Sequence, residues 1–339
     1  MTSSKTIKLS YYDTQVLKGF ALILLLCHHC WYEGKDYTDI VLFGIPVFKQ
    51  IGVFCKLCVA FFVFLSGYGC AESTSRKGGI GNIFNFYRRR YIKLMVNYWF
   101  IYILFVPIGI FFFGRTFTDV YGGNYILPAI ADFLGLHNVV MGNPFGYNPT
   151  WWFYSCIILI YALFPAIWHF REQWYLMIPL AIMMPIFAYY IPMLLCCSSY
   201  CLAFICGVSF CVVRPSVVWG GRFLFLLCFV AVCLFRFKIQ DPMLWDSAIV
   251  LFVVVIYKSI SCPSWVAAGL AFLGKHSFNI FLFHTFIYLI YFHPFIYWTR
   301  NPILICTTLL LTCIPISMGI EGLKNILRIK KMQDYLIGK

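Results

Sequence analysis

The sequence predicts an all-α polytopic integral membrane protein, and its composition and its long uncharged segments are the main reasons. Of its 339 residues, 62% are hydrophobic, 20% are aromatic and only 11% are charged. This composition is too apolar for a soluble globular domain. Segment 94–113 alone holds 20 residues without a charge, enough to cross a bilayer as one helix. No second domain or internal repeat is visible, so we expect a single transmembrane domain over residues 1–339.

About ten segments have the length and apolarity of membrane-spanning helices. The seventh is short, because only 13 residues separate Arg222 from Arg236, and it needs snorkelling side chains or a locally thin bilayer to cross. The predicted helices cover residues 17–33, 50–71, 94–113, 151–168, 174–190, 197–213, 221–237, 243–258, 277–295 and 301–320.

Lysine and arginine indicate the orientation of these helices. With the N-terminus inside, nineteen of the 26 cations fall in inner segments and six in outer ones, and such an excess marks the cytoplasmic side. An even number of helices then places both termini in the cytoplasm. We therefore expect a multi-pass protein of the plasma membrane. The net charge of +14 fits this topology, and it also fits contact with anionic lipid and binding of a phosphorylated ligand. The sequence predicts no soluble domain that could present a basic face to nucleic acid.

The 16 cysteines do not predict a metal site or a disulfide framework. Most lie within apolar segments, where cysteine behaves as a small hydrophobic residue. No cysteine and histidine spacing typical of zinc sites stands in a polar loop. We expect no bound metal.

The first helix contains the stretch KGFALILLLCHH, from Lys18 to His29. Eleven residues at ~100° each leave only ~20° between these two side chains, which are separated by a rise of ~16 Å, whereas His28 is rotated by ~100°. Ionisable groups in a membrane helix usually face a protein interior or a wet cavity, so this face is a candidate site. The alternative is a snorkelling lysine and a histidine that only bonds a neighbouring helix.

A basic run, FYRRRYIK, stands where the third predicted helix enters the membrane from inside. Arg90 and Lys93 are three residues apart, and Arg89 and Lys93 are four apart, so each pair shares a helix face. Arginine binds phosphate oxygens in a bidentate manner, which suits an anionic ligand. The alternative is that the cluster only fixes the topology.

Three further stretches have ordinary structural interpretations. FFVFLSGYG at 61–69 contains a small-residue turn that allows close helix packing. TWWFYSCIILIYALFP at 150–165 begins with Trp151 and Trp152, typical of the aromatic belt at a membrane interface. LGKHSFNIFLFH at 273–284 places His284 inside a helix, where a buried hydrogen bond is one explanation.

Two loops and the C-terminal tail complete the chain. The inner loop Glu72–Phe86 is rich in Ser, Gly and Asn, and the outer loop Gly114–Thr150 is the longest between helices. Within the outer loop, Tyr125–Leu136 is mildly apolar and predicts a short interfacial helix. The tail Glu321–Lys339 fits either a helix on an anionic leaflet or a solvated end.

The stretches quoted above by their sequence, in this order and spacing, resemble the membrane-bound acyltransferase 3 family, whose members O-acylate sugars of surface polysaccharides and related acceptors. The resemblance extends from Lys18 to about Phe295. The family's arginine, ten residues and histidine correspond to Lys18 and His29, and its FFVLSG segment with a basic RxxR pair corresponds to Phe61–Gly67 with Arg90 and Lys93. Lysine replaces the family's arginine at Lys18 and Lys93. Val96 and Asn97 stand where the family usually has prolines before an aromatic pair, which here is Tyr98 and Trp99.

The resemblance implies an O-acyltransferase, with acetyl-CoA as acyl donor and a glycan or lipid-linked sugar as acceptor. His29 would then act as general base or as a transiently acylated nucleophile. The phosphates of coenzyme A would be held by Lys18, Arg89, Arg90 and Lys93.

Contacts to the sugar are expected from the outer loop and from aromatic residues near it, because aromatic faces and amides suit carbohydrate. Glu33 and Asp246 are candidate helpers or ordinary interfacial acids. A transporter of a lipid-linked sugar or another amphiphile, and an inactive family member, are the alternatives. The residues expected near the sugar are His137, Asn143, Asn148, Trp151, Trp152 and His284.

Overall fold

A computed structural model describes residues 5–33, 36–191, 194–217, 222–238 and 242–338, and most of them are helical. Four two-residue strands form two antiparallel pairs, β1 (Lys5–Thr6) with β4 (Ser216–Val217) and β2 (Val41–Leu42) with β3 (Ile45–Pro46). The helices are α1 (Tyr11–His28), α2 (Val47–Cys55), α3 (Cys58–Ser75), α4 (Ile83–Phe113), α5 (Phe117–Tyr121), α6 (Ile126–Phe133), α7 (His137–Met141), α8 (Trp152–His169), α9 (Trp174–Tyr190), α10 (Leu195–Val213), α11 (Arg222–Lys238), α12 (Pro242–Ser259), α13 (Ser264–Thr285), α14 (His293–Tyr297), α15 (Pro302–Ile326) and α16 (Ile329–Leu336).

Five helical segments in the described part of the chain are long and apolar enough to cross a membrane. Together with the near absence of strand in the same residues, they show an all-α membrane protein, as the composition predicts. These segments are Val47–Ser75, Ile83–Phe113, Pro149–His169, Ser264–Tyr291 and Pro302–Ile326.

The basic run lies inside a helix rather than at its start, because α4 begins at Ile83 and not at residue 94. The side chain of Asn82 caps the helix by accepting a hydrogen bond from the backbone N–H of Asn85. Charges end an apolar segment in the sequence, but they do not end a helix that continues into water. The three arginines therefore stand on a rigid 31-residue helix.

Three predicted helices are interrupted. The single helix predicted at 50–71 divides into α2 and α3 at Lys56 and Leu57. The first helix changes at His29 into a π-helical turn, His29–Glu33, and α13 changes likewise into Phe286–Tyr291. Single π-helical turns often mark functional sites, because they redirect side chains.

Two glycines allow α1 and α13 to touch backbone to backbone. A Cβ atom on Gly19 would lie 1.9 Å from the carbonyl oxygen of Leu270, and one on Gly274 would lie 1.9 Å from that of Gln15. Small residues allow this close approach of membrane helices. His29 follows Gly19 by ten positions and His284 follows Gly274 by ten, so the crossing brings the two histidines to one level.

The segment Ser66–Gly69 is not a turn, since it lies in the middle of α3. Its predicted role in close packing is nevertheless confirmed: a Cβ atom on Gly67 would lie 2.2 Å from the carbonyl oxygen of Phe204 in α10. The hydrophobic core between these helices is rich in aromatic residues, and its largest fully buried side chains include Tyr98, Tyr154, Tyr288, Phe61, Phe64 and Phe204.

The long loop between α4 and α8 contains three short helices, of which α6 lies within the predicted interfacial helix. Ile126, Leu127 and Ile130 of α6 are exposed, as expected of a helix beside lipid. At the other end of the chain, α15 runs on to Ile326, and α16 packs against α4. We call the end of the bundle with the three arginines the basic end, and the end with residues 114–150 the loop end.

Candidate active site

Two histidines from different helical segments lie with their rings in contact, ten positions beyond the glycines at the crossing of α1 and α13. The ring centroids of His29 and His284 are 4.8 Å apart, and the hydroxyl oxygen of Tyr288 lies 3.3 Å from Nδ1 of His29. Both histidines are buried. An imidazole pair with a phenol beside it can accept and release protons, which suits acid–base or nucleophilic chemistry.

The backbone fixes the tautomer of His284. Its Nδ1 lies 3.0 Å from the carbonyl oxygen of Ile280 and 2.9 Å from that of Phe281. Because carbonyl oxygens only accept hydrogen bonds, Nδ1 carries the proton, and Nε2 of the neutral ring is an acceptor. His284 is thus buried and hydrogen-bonded, as one interpretation of the sequence has it, and it is also in contact with His29.

His28 is closer to the site than its helical rotation suggests. Its Nδ1 donates a hydrogen bond of 2.7 Å to the carbonyl oxygen of Gly52 in α2, and its ring stacks on Tyr32 with centroids 5.3 Å apart. Its side chain borders the same cavity as His29. The predicted rotation of His28 by ~100° therefore does not take its side chain away from the site, because the cavity extends around both faces of α1.

A cavity of about 240 Å³, here called the basic cavity, brings together three of the predicted cations. Lys18 of α1 and Arg90 and Lys93 of α4 line it. Hydroxyl groups from three other helices complete the polar part of its wall, namely those of Ser66, Tyr161 and Ser277.

Arg90 is held in place from two sides. Its Nη2 donates a 2.5 Å hydrogen bond to Oγ of Ser73 in α3. Its guanidinium lies over the rings of Phe86 and Tyr161, at 5.5 and 6.0 Å from their centroids, a cation–π arrangement. A charge fixed in this way is oriented before any ligand arrives.

A second cavity, of about 480 Å³, opens beside the first and is called the basic mouth. Arg89, Arg90 and Lys93 line it together with Lys77. The first turn of α4 and the glycine-rich loop before it also contribute, and helix N-termini favour anions. Sequence reasoning missed Lys77, although it had marked the inner loop that carries it.

The C-terminal segment forms one wall of the basic mouth. Ile337, just after α16, is fully buried and lines this cavity. Nε2 of Gln333 in α16 donates a hydrogen bond to the carbonyl oxygen of Lys93 at 3.3 Å. The tail is therefore neither a free end nor wholly a surface helix.

The histidine cavity, of about 490 Å³, lies on the loop side of the histidine pair. His28, His29 and Lys56 border it from the helices. Asn138, Thr150 and Trp152 border it from the long loop and from the start of α8. Sequence reasoning missed Lys56 and Asn138. The break between α2 and α3 at Lys56 is visible only in the folded chain.

The other residues expected near the sugar have structural contacts. Trp151 is buried and its Nε1 donates a 2.9 Å hydrogen bond to the carbonyl oxygen of Leu282. His137 packs its ring 5.7 Å from that of Tyr121. Oδ1 of Asn148 accepts a hydrogen bond from the N–H of Thr150. Trp152 is therefore the aromatic residue of the predicted pair that borders the histidine cavity.

Asp246 forms a buried ion pair with Arg236, with 2.5 Å between Oδ1 and Nε. It stabilises the contact of α11 with α12 and does not line the cavities described above. The side chain of Glu33 lies outside the described part of the chain.

Asp132, a buried residue of α6, holds parts of the long loop together through hydrogen bonds. Its Oδ2 accepts hydrogen bonds from the hydroxyl of Tyr121 at 2.5 Å and from the N–H of Tyr147 at 2.7 Å. Its Oδ1 accepts a hydrogen bond from the hydroxyl of Tyr98 at 3.2 Å. Burial raises the pKa of the Asp132 carboxyl, and these donors oppose that shift.

Among the described residues, no group of three or more His, Cys, Asp or Glu side chains has an arrangement that could hold a metal ion. Residues 11–321 match a sequence-family model described as an acyltransferase domain. No curated protein and no solved structure matches the chain. The match covers the basic cavity, the histidine pair and the long loop, and the chain therefore belongs to the acyltransferase 3 family of membrane acyltransferases.

Proposed function

We propose that this protein moves an acyl group, in the first instance acetyl, from coenzyme A to a hydroxyl of a glycan or lipid-linked sugar. The observation that carries this proposal is the position of the His29–His284 pair. His29 borders the cavity that loop residues also line, and the cation-lined cavity lies toward the basic end. Family membership supports the acyl transfer itself.

The proposed topology has ten membrane spans with both termini and the basic end in the cytoplasm of a cell bounded by a plasma membrane. The excess of cations in the predicted inner segments supports this orientation. Acyl-CoA would then enter from the cytoplasm, and the acceptor would reach the histidine cavity from the loop end. Reporter tags after residue 78 and within residues 122–124 test this arrangement: the first must be inside and the second outside.

Lys18, Arg89, Arg90 and Lys93 are the proposed ligands of the coenzyme A phosphates. Arg90 offers an oriented guanidinium and Arg89 offers a second one, whereas Lys18 and Lys93 offer point charges without a bidentate fork. An extended thioester arm would reach from these cations toward His29, across a helix rise of ~16 Å from Lys18.

At His29, two routes give the same overall change of bonds. In direct transfer, His29 takes the proton of the acceptor hydroxyl while the O–C bond forms and the C–S bond breaks, and His29 then gives that proton to the leaving thiolate. In the relay, an N–C bond to His29 forms first as the C–S bond breaks, and the acceptor oxygen later forms the O–C bond as the N–C bond breaks, so that the hydroxyl proton replaces the one taken up by the thiolate. In both routes, Lys56 is the candidate for stabilising the charge on the carbonyl oxygen.

The test uses purified protein in lipid nanodiscs with acetyl-labelled coenzyme A and an alkyl glucoside as a model sugar hydroxyl. We expect release of the coenzyme A thiol and transfer of label to the glucoside or to water. Donor binding without turnover would refute the proposal in favour of an inactive family member. Neither binding nor turnover would refute it in favour of a transporter.

A further inference from the structure

Three phenylalanine side chains line the basic cavity and the histidine cavity at the same time. They are Phe62 of α3, Phe153 of α8 and Phe281 of α13, and the other residues that line the two cavities differ. We call these three side chains the phenylalanine partition. It is the common wall between the cations and His29.

The helical register shows that the three rings lie at one level. One turn toward the basic end from each of them stands another residue of the basic cavity, respectively Ser66, Ile157 and Ser277. The ring of Phe281 lies 5.3 Å from that of Phe153, edge to face, and 6.4 Å from that of Phe62.

The partition is also in contact with the histidine pair. The centroids of the Phe281 and His284 rings are 6.4 Å apart, and the carbonyl oxygen of Phe281 accepts the hydrogen bond that orients His284. The three rings therefore separate the basic cavity from the cavity that His29 borders.

We propose that the phenylalanine partition is the acyl passage of this protein and that its width selects short acyl chains. This inference rests on the function proposed above, since it assumes a thioester held by the cations and a reaction at His29. Phenyl rings hold no water and donate no strong hydrogen bond, so they keep water from the basic side away from the thioester. Packed rings yield little space, so every methylene of the acyl chain must be threaded between them before the arm of coenzyme A can follow.

The experiment compares acetyl-, butanoyl- and hexanoyl-CoA as donors for the wild type and for Phe62→Ala and Phe153→Ala in nanodiscs. We expect the partition variants to raise the ratio of kcat/KM for hexanoyl-CoA to that for acetyl-CoA at least tenfold, with little change in the affinity for free coenzyme A. Phe62→Leu is the milder variant if alanine prevents folding, and it must shift the ratio in the same direction.

Two matched controls separate the passage from general loosening of the fold. Phe278→Ala enlarges only the basic cavity, and Phe145→Ala changes only the exposed edge of the histidine cavity. Neither should shift the chain-length ratio. An unchanged ratio in the partition variants, or an equal shift in the controls, would overturn the passage alone. Absence of turnover with every donor in the wild type would overturn the proposed function with it.

Discussion

Replacing His29 by alanine removes an imidazole from the wall of the histidine cavity. A general base contributes about 10²–10⁴ in rate, and a nucleophile at least as much. We therefore expect His29→Ala to lower kcat at least a hundredfold while the affinity for coenzyme A persists, because the proposed phosphate ligands stand on the other side of the partition.

His28 provides the matched control, since it borders the same cavity but is bound to Gly52. His28→Ala loses that hydrogen bond, whose net worth is about 0.5–1.5 kcal/mol. Even if all of it were lost from the transition state, the rate would fall only about tenfold.

The assay is release of coenzyme A from acetyl-CoA at saturating donor, with thermal unfolding measured in the same nanodiscs. The reasoning is refuted if His28→Ala loses as much activity as His29→Ala, or if His29→Ala keeps wild-type turnover. In the second case the chemical role passes to His284, whose Nε2 is an acceptor at the same level.

The donor site, the tail, the helix crossing and the long loop give four further predictions. The double variant Arg90→Ala and Lys93→Ala should raise KM for acetyl-CoA at least about a hundredfold, with a salt dependence, because charged hydrogen bonds are worth about 1.5–3 kcal/mol each; an unchanged KM would leave the cluster only a topological role. Ile337→Asp places a carboxylate in the basic mouth and should raise the KM for acetyl-CoA. Leu336→Asp, at the exposed residue before it, should leave that KM unchanged. Gly274→Ala should reduce the yield of folded protein in detergent, because its Cβ would lie 1.9 Å from a backbone oxygen of α1; a wild-type yield would contradict this packing. Burial raises the pKa of Asp132, so the stability it gives the loop is complete below the ordinary pKa of about 4 and is lost as pH rises through the raised value. Hydrogen exchange of residues 117–147 should show this trend in the wild type and a flat profile in Asp132→Asn; a trend retained in the variant would assign it to another group.

Much of the fold follows from the sequence, because the bilayer imposes length and apolarity on each spanning helix. The composition identified an all-α membrane protein, and the stretch from Lys18 to His29 placed two ionisable groups on one helix. Covalent spacing fixes their separation within α1 whatever the rest of the chain does. The same reasoning grouped Arg90 with Lys93, which line one cavity in the structure.

Helix ends were less predictable, because charge and helicity are separate properties. Charged residues leave the membrane, yet α4 continues through all three arginines to Ile83. Lys56 and His29 differ in charge from the apolar residues around them, but neither residue type by itself breaks or distorts a helix, so the break and the π-helical turn could not be predicted from composition.

Only the tertiary structure decided which distant residues share a site. Tyr288 and His29 are 259 positions apart, and the glycine contacts of α1 with α13 set the register that brings them together. The same packing buried Trp151 while it left Trp152 at the histidine cavity, and it placed Ile337 of the tail in the basic mouth. Sequence periodicity states which face of a helix a residue occupies, but the neighbour of that face depends on close packing between segments that the chain brings together only when it folds.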